Sequence, residues 1–358
     1  MTEPFLILAV NPGSTSTKAA VFRDEEQIAG SAIRHRPEEF AGCDGLIDQK
    51  AIRMKSIIEM LDKSGIKMDS LDAVVGRGGL IKPIESGTYV VNDAMIRDLS
   101  TGFASTHAST LGGIIASEIG RTYDIPAFIA DPVVVDEMEP LARISGIPEI
   151  SRRSIFHALN TKSVAGRCAA DIGKKYGECR FVVAHMGGGI SVGAHKNGRV
   201  IDVNDALYGE GPFSPERCGG LPVEQVIQMC FSGKYTKADM IAFTVKTGGM
   251  MAYLGTNDLV SVEETIAKGD EKSALIANAM AYQVSKEIGS MAAVLNFELD
   301  AIILTGGLAR SEMFTGWIKR RVESAAPVMI CPGENEMSAL AMGALRVLRK
   351  EERAAVYE

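Results

Sequence analysis

The chain has 358 residues, 46% of them apolar and 23% charged, with a formal net charge of −7. These proportions exclude an intrinsically disordered or fibrous chain, and the length suits two domains better than one. There is no Lys/Arg-rich block to support nucleic-acid binding, no apolar run near the roughly 20 residues of a membrane span, and the opening MTEPFLILAV lacks the cationic start of a signal peptide.

In chain order, Phe5–Val10 is a short apolar run that reads as a buried strand. Asn11 to Lys18 follows, rich in turn formers and hydroxyls, and Ala19–Arg23 and Gln27–Arg34 read as second and third strands of a meander. Asp69–Gly76 and Ile125–Asp131 are further strand candidates, each ending in polar residues. The meander pattern returns near 181. Phe181–Ala184 is a strand, His185 to Gly189 a loop, Ser191–His195 a strand, Lys196-Asn197-Gly198 a hairpin turn and Arg199–Val203 a strand. Overlaying Asn11 on His185 gives an offset of 174 residues, close to half the chain, and reads as a duplicated domain. Glu271–Phe297 carries Ile276, Met280, Val284, Ile288, Met291 and Leu295 on one helical stripe. Asp300–Leu304 is a strand running into Thr305-Gly306-Gly307, a helix starts near Ser311, and Glu336–Arg349 is a final amphipathic helix. The domain boundary falls between 131 and 160, giving domains 1–150, joined by 336–358, and 151–335.

A strand–loop–strand rich in glycine and hydroxyls can cradle phosphate with backbone N–H groups. Neither GxxxxGK[ST] nor GxGxxG after the first strand occurs, so this is neither a P-loop nor a dinucleotide fingerprint. Two cradles, one per half, point to a nucleotide held in an interdomain cleft. The six cysteines, Cys43, Cys168, Cys179, Cys218, Cys230 and Cys331, form no CxxC pair, which reads as reduced thiols of a cytoplasmic protein. Arg77, Asp131, His185 and Thr305 stand where strands end, the ligand-binding edge of α/β sheets.

The segments LAVNPGSTSTK at 8–18 and FVVAHMGGGISVGAHKNG at 181–198 resemble the two signatures of the acetokinase family, the acetate, propionate and butyrate kinases. Matching motifs follow in order: VVGRGG at 74–79, STH at 105–107, IADP at 129–132, PERCGGLP at 215–222, ILTGGLAR at 303–310 and ENEMSALA at 334–341. The wording over 185–222, and a chain shorter than acetate kinases usually are, resemble the butyrate kinases most. The resemblance implies an α/β, duplicated actin/sugar-kinase/chaperone-ATPase (ribonuclease H-like) fold. It also implies reversible transfer of the ATP γ-phosphoryl group to butyrate, with Mg²⁺, in a cytoplasmic homo-oligomer.

By the same resemblance, Arg77 binds the carboxylate or acyl phosphate, Arg217 steadies the transferring phosphoryl group, and His185 contacts its oxygens. His107 lies near the substrate. Asp131, where the family's usual FDT is replaced by ADP, binds Mg²⁺ through water or orients Arg217. Glu336, with Glu334 a competing alignment, and Asn11 serve the metal. Asn11, Ser14, Ser16 and Lys18 form the first cradle, Gly187, Gly188 and Gly189 the second, and Thr305, Gly306 and Gly307 the adenosine turn. His35, His157 and His195 read as structural. A carboxylate is already ionised at neutral pH, so no general base is expected. The alternatives are an acetate, propionate or branched-chain acid kinase of the same family, a sugar kinase with Asp131 as base, and a non-kinase ATPase switch.

Overall fold

The computed structural model describes residues 3–101 and 108–358. The chain divides into two compact units, Met1–Val135 with Asn335–Glu358, and Asp136–Glu334.

In the first unit, β1 (Leu6–Pro12), β2 (Ser16–Arg23) and β3 (Glu26–Arg34) form an antiparallel meander. β4 (Ala73–Gly76) pairs parallel to β1, and β6 (Ala127–Ala130) pairs parallel to β4, with β5 (Thr88–Val90) antiparallel beyond it. Ile7 to Val10 and Ala73 to Val75 are wholly buried, the continuous apolar run that a strand covered on both faces requires. The helices Lys50–Lys63 and Thr110–Tyr123 send Ile57, Leu61, Leu111 and Ile115 into the core with Leu8, Val10 and Val74. Glu336–Leu348 returns from the end of the chain to lie on β1, β4 and β6.

In the second unit, β7 (Arg180–Met186), β8 (Ile190–Lys196) and β9 (Arg199–Val203) repeat the meander. β10 (Ala301–Gly306) pairs parallel to β7, and β11 (Val328–Pro332) pairs parallel to β10. Val182, Ala184 and Met186 face one way, into the stripe of helix Glu271–Val294; Phe181 and Val183 face the other way, onto helix Ala158–Asp171. The alternation follows from the two-residue strand period.

Five strands therefore run β6-β4-β1-β2-β3 in one unit and β11-β10-β7-β8-β9 in the other, the same order and directions twice. The 174-residue offset carries Leu6–Pro12 onto Arg180–Met186 residue for residue. The remaining strand, β12 (Ala355–Val356), pairs with β5.

Several segments differ from the sequence reading in extent. β1 and β7 run on through Asn11 and His185, and β2 starts at Ser16, because the antiparallel ladder continues past the apolar run: Asn11 pairs with Lys18 and His185 with Ser191. β4 is four residues long, since Met68–Ser70 is a 3₁₀ turn. The helix from Glu271 stops at Val294, before Asn296 and Phe297 with φ of +56° and +59°. Asn197 and Gly198, at φ +53° and +81°, make the left-handed turn that joins β8 to β9.

Candidate active site

In the first unit, parallel pairing sets Val10 beside Gly76 and Gly76 beside Ile129. Asn11, next to last in β1, and Arg77 and Asp131, just past β4 and β6, thus stand at the carboxyl ends of three neighbouring strands. Glu336, at the start of its helix and 7% exposed, joins the first two. Its Oε1 lies 2.7 Å from Arg77 Nη1, and its Oε2 accepts from Asn11 Nδ2 at 2.5 Å. Arg77 Nη1 also reaches Asn11 Oδ1 at 3.4 Å. Each carboxylate oxygen keeps a second lone pair, so Glu336 can hold a metal-bound water without releasing Arg77. Asp131 takes φ of +38°, a conformation in which a non-glycine residue stores strain. Its Oδ1 accepts from Ser86 Oγ at 2.6 Å and from the Gly87 N–H at 2.9 Å.

The first loop is only Gly13, Ser14 and Thr15, closed by Gly13 N–H to Ser16 O at 2.7 Å. Ser14 is exposed, while Ser16 and Lys18 are half-buried. Beneath the loop lies Arg53, whose exposure is 0%. Its Nη1 donates to Ser16 O at 2.8 Å and Thr17 Oγ1 at 3.0 Å, and its Nη2 to Gln49 Oε1 at 2.9 Å and Ser14 O at 3.4 Å. Burial pushes this guanidinium down from its ordinary value, yet an arginine keeps its proton. The loop is therefore backed by a cation that donates to four neutral oxygens, an electrostatic setting suited to an anion.

In the second unit, His185 is 1% exposed at the end of β7. Its Nδ1 lies 2.6 Å from Asn160 Oδ1. Asn160 Nδ2 donates to the carbonyls of Glu334 at 2.6 Å and Gly333 at 3.5 Å. Carbonyls only accept, so the amide nitrogen must face them and the amide oxygen must face His185. Nδ1 therefore carries the proton, and Nε2 donates only when the ring is an imidazolium. His157 stacks on His185 at 3.9 Å between centroids, held by Ser191 Oγ at 2.8 Å from its Nδ1.

The loop Gly187 to Gly189 closes with Gly187 N–H to Gly189 O at 3.0 Å, and Ser214 Oγ donates to Gly188 O at 2.5 Å. Ser214 Oγ also accepts from the Arg217 N–H at 3.1 Å. The Arg217 guanidinium packs against this loop: a Cβ on Gly189 would stand 1.9 Å from its Nη1. Only glycine permits that approach. Nη1 donates to Ala206 O at 2.5 Å, and Nε is buried with no hydrogen-bond partner. Burial pushes the guanidinium down, against the pull of Glu216, Asp205 and Tyr208. A buried donor without a partner costs free energy that a bound anion could recover. On the next strand Thr305, wholly buried, pairs in register with His185, and its Oγ1 donates to Gly333 O at 3.1 Å. Gly306 and Gly333 exchange backbone bonds at 3.2 and 3.0 Å, and Gly307 is exposed with open space around it.

The structure thus joins Asn11, Arg77 and Glu336 in one unit, and Arg217 with Gly189, and His185 beside Thr305, in the other. His107 lies outside the described residues. Arg53, Asn160 and Ser214 were not singled out by sequence, and His157 was read as structural. No group of three or more His, Cys, Asp or Glu side chains suited to a metal occurs among the described residues. Among them, no helix is long and apolar enough to cross a membrane.

Residues 148–321 match the model of the acetokinase family. The acetate kinase of Porphyromonas gingivalis superposes with a TM-score of 0.78 at 18% identity, covering 97% of this chain and 100% of that one. A propionate kinase from Francisella tularensis subsp. tularensis SCHU S4 gives 0.75 at 17%, covering 95% and 98%, and the acetate kinase of Entamoeba histolytica gives 0.76 at 16%, covering 96% and 100%. At these identities the superpositions speak for fold. The chain therefore carries the acetokinase-family pattern over 148–321, and has the duplicated α/β actin/sugar-kinase/chaperone-ATPase fold.

Proposed function

We propose that the protein is a carboxylate kinase, moving the γ-phosphoryl group of ATP to a short-chain fatty acid and back. The observation that carries this reading is the cradle of the second unit: His185, Gly187 to Gly189 and Arg217 are built into one loop system within the stretch that matches the acetokinase model. In this reading a carboxylate oxygen attacks the γ-phosphorus in line, the bond to the β,γ-bridging oxygen breaks, and ADP leaves with that electron pair. No proton need be removed from the acceptor, so catalysis rests on positioning and charge.

Arg77 takes the carboxylate, its guanidinium held at Nη1 by Glu336 and Asn11. Arg217 and protonated His185 donate to the oxygens of the moving group. Asn11, Ser14, Ser16 and Lys18, with Arg53 behind them, face the phosphates, and Thr305 to Gly307 leave room for adenosine. Mg²⁺ keeps several waters and would be held through them by Glu336, with Asp131 and Asn11 nearby in the strand-end row. When bound, it would neutralise phosphate charge. Asp131 already accepts two hydrogen bonds at Oδ1, the posture of a positioned carboxylate rather than of a base awaiting a sugar hydroxyl. That observation favours an acid acceptor over a sugar.

Within this class the substrate is butyrate, on the motif wording at 185–222. One methylene in an apolar pocket is worth only about 1–3 kcal/mol, so propionate and branched acids are poorer substrates rather than excluded ones. Incubation with MgATP, hydroxylamine and each acid from acetate to hexanoate tests both parts. Hydroxamate should form, most rapidly with butyrate. ATP hydrolysis without hydroxamate would point to a switch ATPase, and a maximum at acetate would transfer the preference.

A further inference from the structure

We propose that Cys168 and Cys331 form a redox site, a dithiol that small disulfides of the glutathione class convert to an intramolecular disulfide. The two sulfurs stand 3.4 Å apart, across the helix Ala158–Asp171 and β11. Bonded sulfurs lie about 2.05 Å apart, so a small approach of two packed elements closes the bond. The pair lines an open cavity of about 440 Å³, with Val164, Arg167, Ala170, Asp171 and Pro332. Cys331 is half-buried there and Cys168 is wholly buried. This is the arrangement of an attacking thiol with a resolving thiol behind it.

The electrostatics assign those roles. The hydrogen bond from Cys168, aided by the Arg167 charge, draws the Cys331 thiol down to about 7. The same bond, then burial, pushes Cys168 up. Cys331, the sulfur open to the cavity, is therefore the attacking thiol, and the wholly buried Cys168 stands behind it. By contrast the Cys179 thiol is buried, donates to Lys175 O at 3.3 Å and is pushed up by burial, as an inert core cysteine should be.

The chemistry balances in two exchanges. Cys331 thiolate attacks one sulfur of the small disulfide; that bond breaks and one small thiolate leaves, taking up a proton. Cys168 then gives its proton to solvent and attacks the Cys331 sulfur; the second small thiolate leaves and is protonated. The protein, starting from one thiolate and one thiol, loses two electrons and one proton, and the small disulfide takes up those electrons with two protons, the second from solvent, to become two thiols. The linkage would tie the helix that carries Asn160 to the strand that runs into Gly333, whose carbonyl Asn160 and Thr305 share.

The test uses the purified full chain in glutathione buffers of increasing oxidised fraction, followed by alkylation and mass spectrometry of the digest without reduction. A Cys168–Cys331 peptide should appear and disappear on adding dithiothreitol. In Cys168→Ser, Cys331 should instead hold one glutathione, and in Cys331→Ser, Cys168 should stay a thiol. The near-isosteric serines keep the fold testable by circular dichroism, and the wild-type peptide map decides the matter if either variant fails to fold. Wild-type Cys168 and Cys331 both remaining thiols at a ratio that glutathionylates the exposed Cys230 would overturn the proposal, as would a Cys331 conjugate that never passes to Cys168.

Discussion

Asn160 decides which nitrogen of His185 carries the proton, because its own amide is committed to two carbonyls. A buried imidazole without that acceptor can exchange tautomers, and its Nε2 then faces the cradle in the wrong state part of the time. In Asn160→Leu the ¹⁵N signature of His185 should change from protonated Nδ1 to a tautomer mixture. Turnover should drop roughly tenfold or more, the cost of a lost buried hydrogen bond of about 1–3 kcal/mol, with the nucleotide KM little altered. An unchanged nitrogen spectrum would remove Asn160 from this role. His185 and Arg217 are visible in the sequence as candidates because each sits in a glycine-flanked motif. Asn160 and Arg53 are not: each is one polar residue on a helix, indistinguishable from a solvated one until its partner, 25 or 37 positions away, is brought to it.

Between elements, the governing feature is backbone approaching backbone or guanidinium without a side chain in the way. Gly112, in the helix Thr110–Tyr123, lies where a Cβ would stand 2.4 Å from Arg77 O, so helix and strand end meet at the GRGG segment. Gly189 does the same for Arg217. Gly189→Ala should push the guanidinium off the loop and cut turnover by about a hundredfold, the scale of losing one transition-state donor, while nucleotide affinity measured by titration calorimetry holds. Arg217→Ala should cost as much or more, again chiefly in turnover. The two changes act on one contact, so the double variant should be no worse than Arg217→Ala alone; additive losses would mean that Gly189 serves something else. The glycine-rich segments were visible in sequence. What each approaches was not, since it is set by pairing over long separations. Strand ends were underestimated for a related reason: the ladder carries polar residues such as Asn11 and His185 that an apolar-run criterion leaves out.

At the scale of the whole molecule, duplication was readable because the two meanders repeat at an offset of 174 residues for the first strand and, by ladder register, 173 for the second, and the same strand order recurs with them. The units nevertheless differ in their buried ionisable groups. In the second unit His195 is wholly buried on β8, with Nδ1 2.8 Å from Tyr176 Oη and Nε2 without a partner. Burial, with the Lys162 charge, lowers it to about 3. A histidine depressed in the folded state favours folding above its unfolded pKa of about 6.5, and that contribution is lost as pH falls from there towards 3. The slope approaches one proton, roughly 1 kcal/mol per pH unit. Asp202, Asp205 and Glu287, raised by burial in the same unit, act in the opposite sense and gain as they protonate. The raw acid profile therefore mixes signs, and the informative quantity is a difference. His195→Leu with Tyr176→Phe removes the imidazole and its lone partner together, leaving the carboxyls in place. Urea midpoints of the double variant, measured from pH 7 to 4, should fall less steeply than those of the wild type, the two curves converging as acid is added. Parallel curves would mean that His195 finds a way to be protonated without opening the sheet.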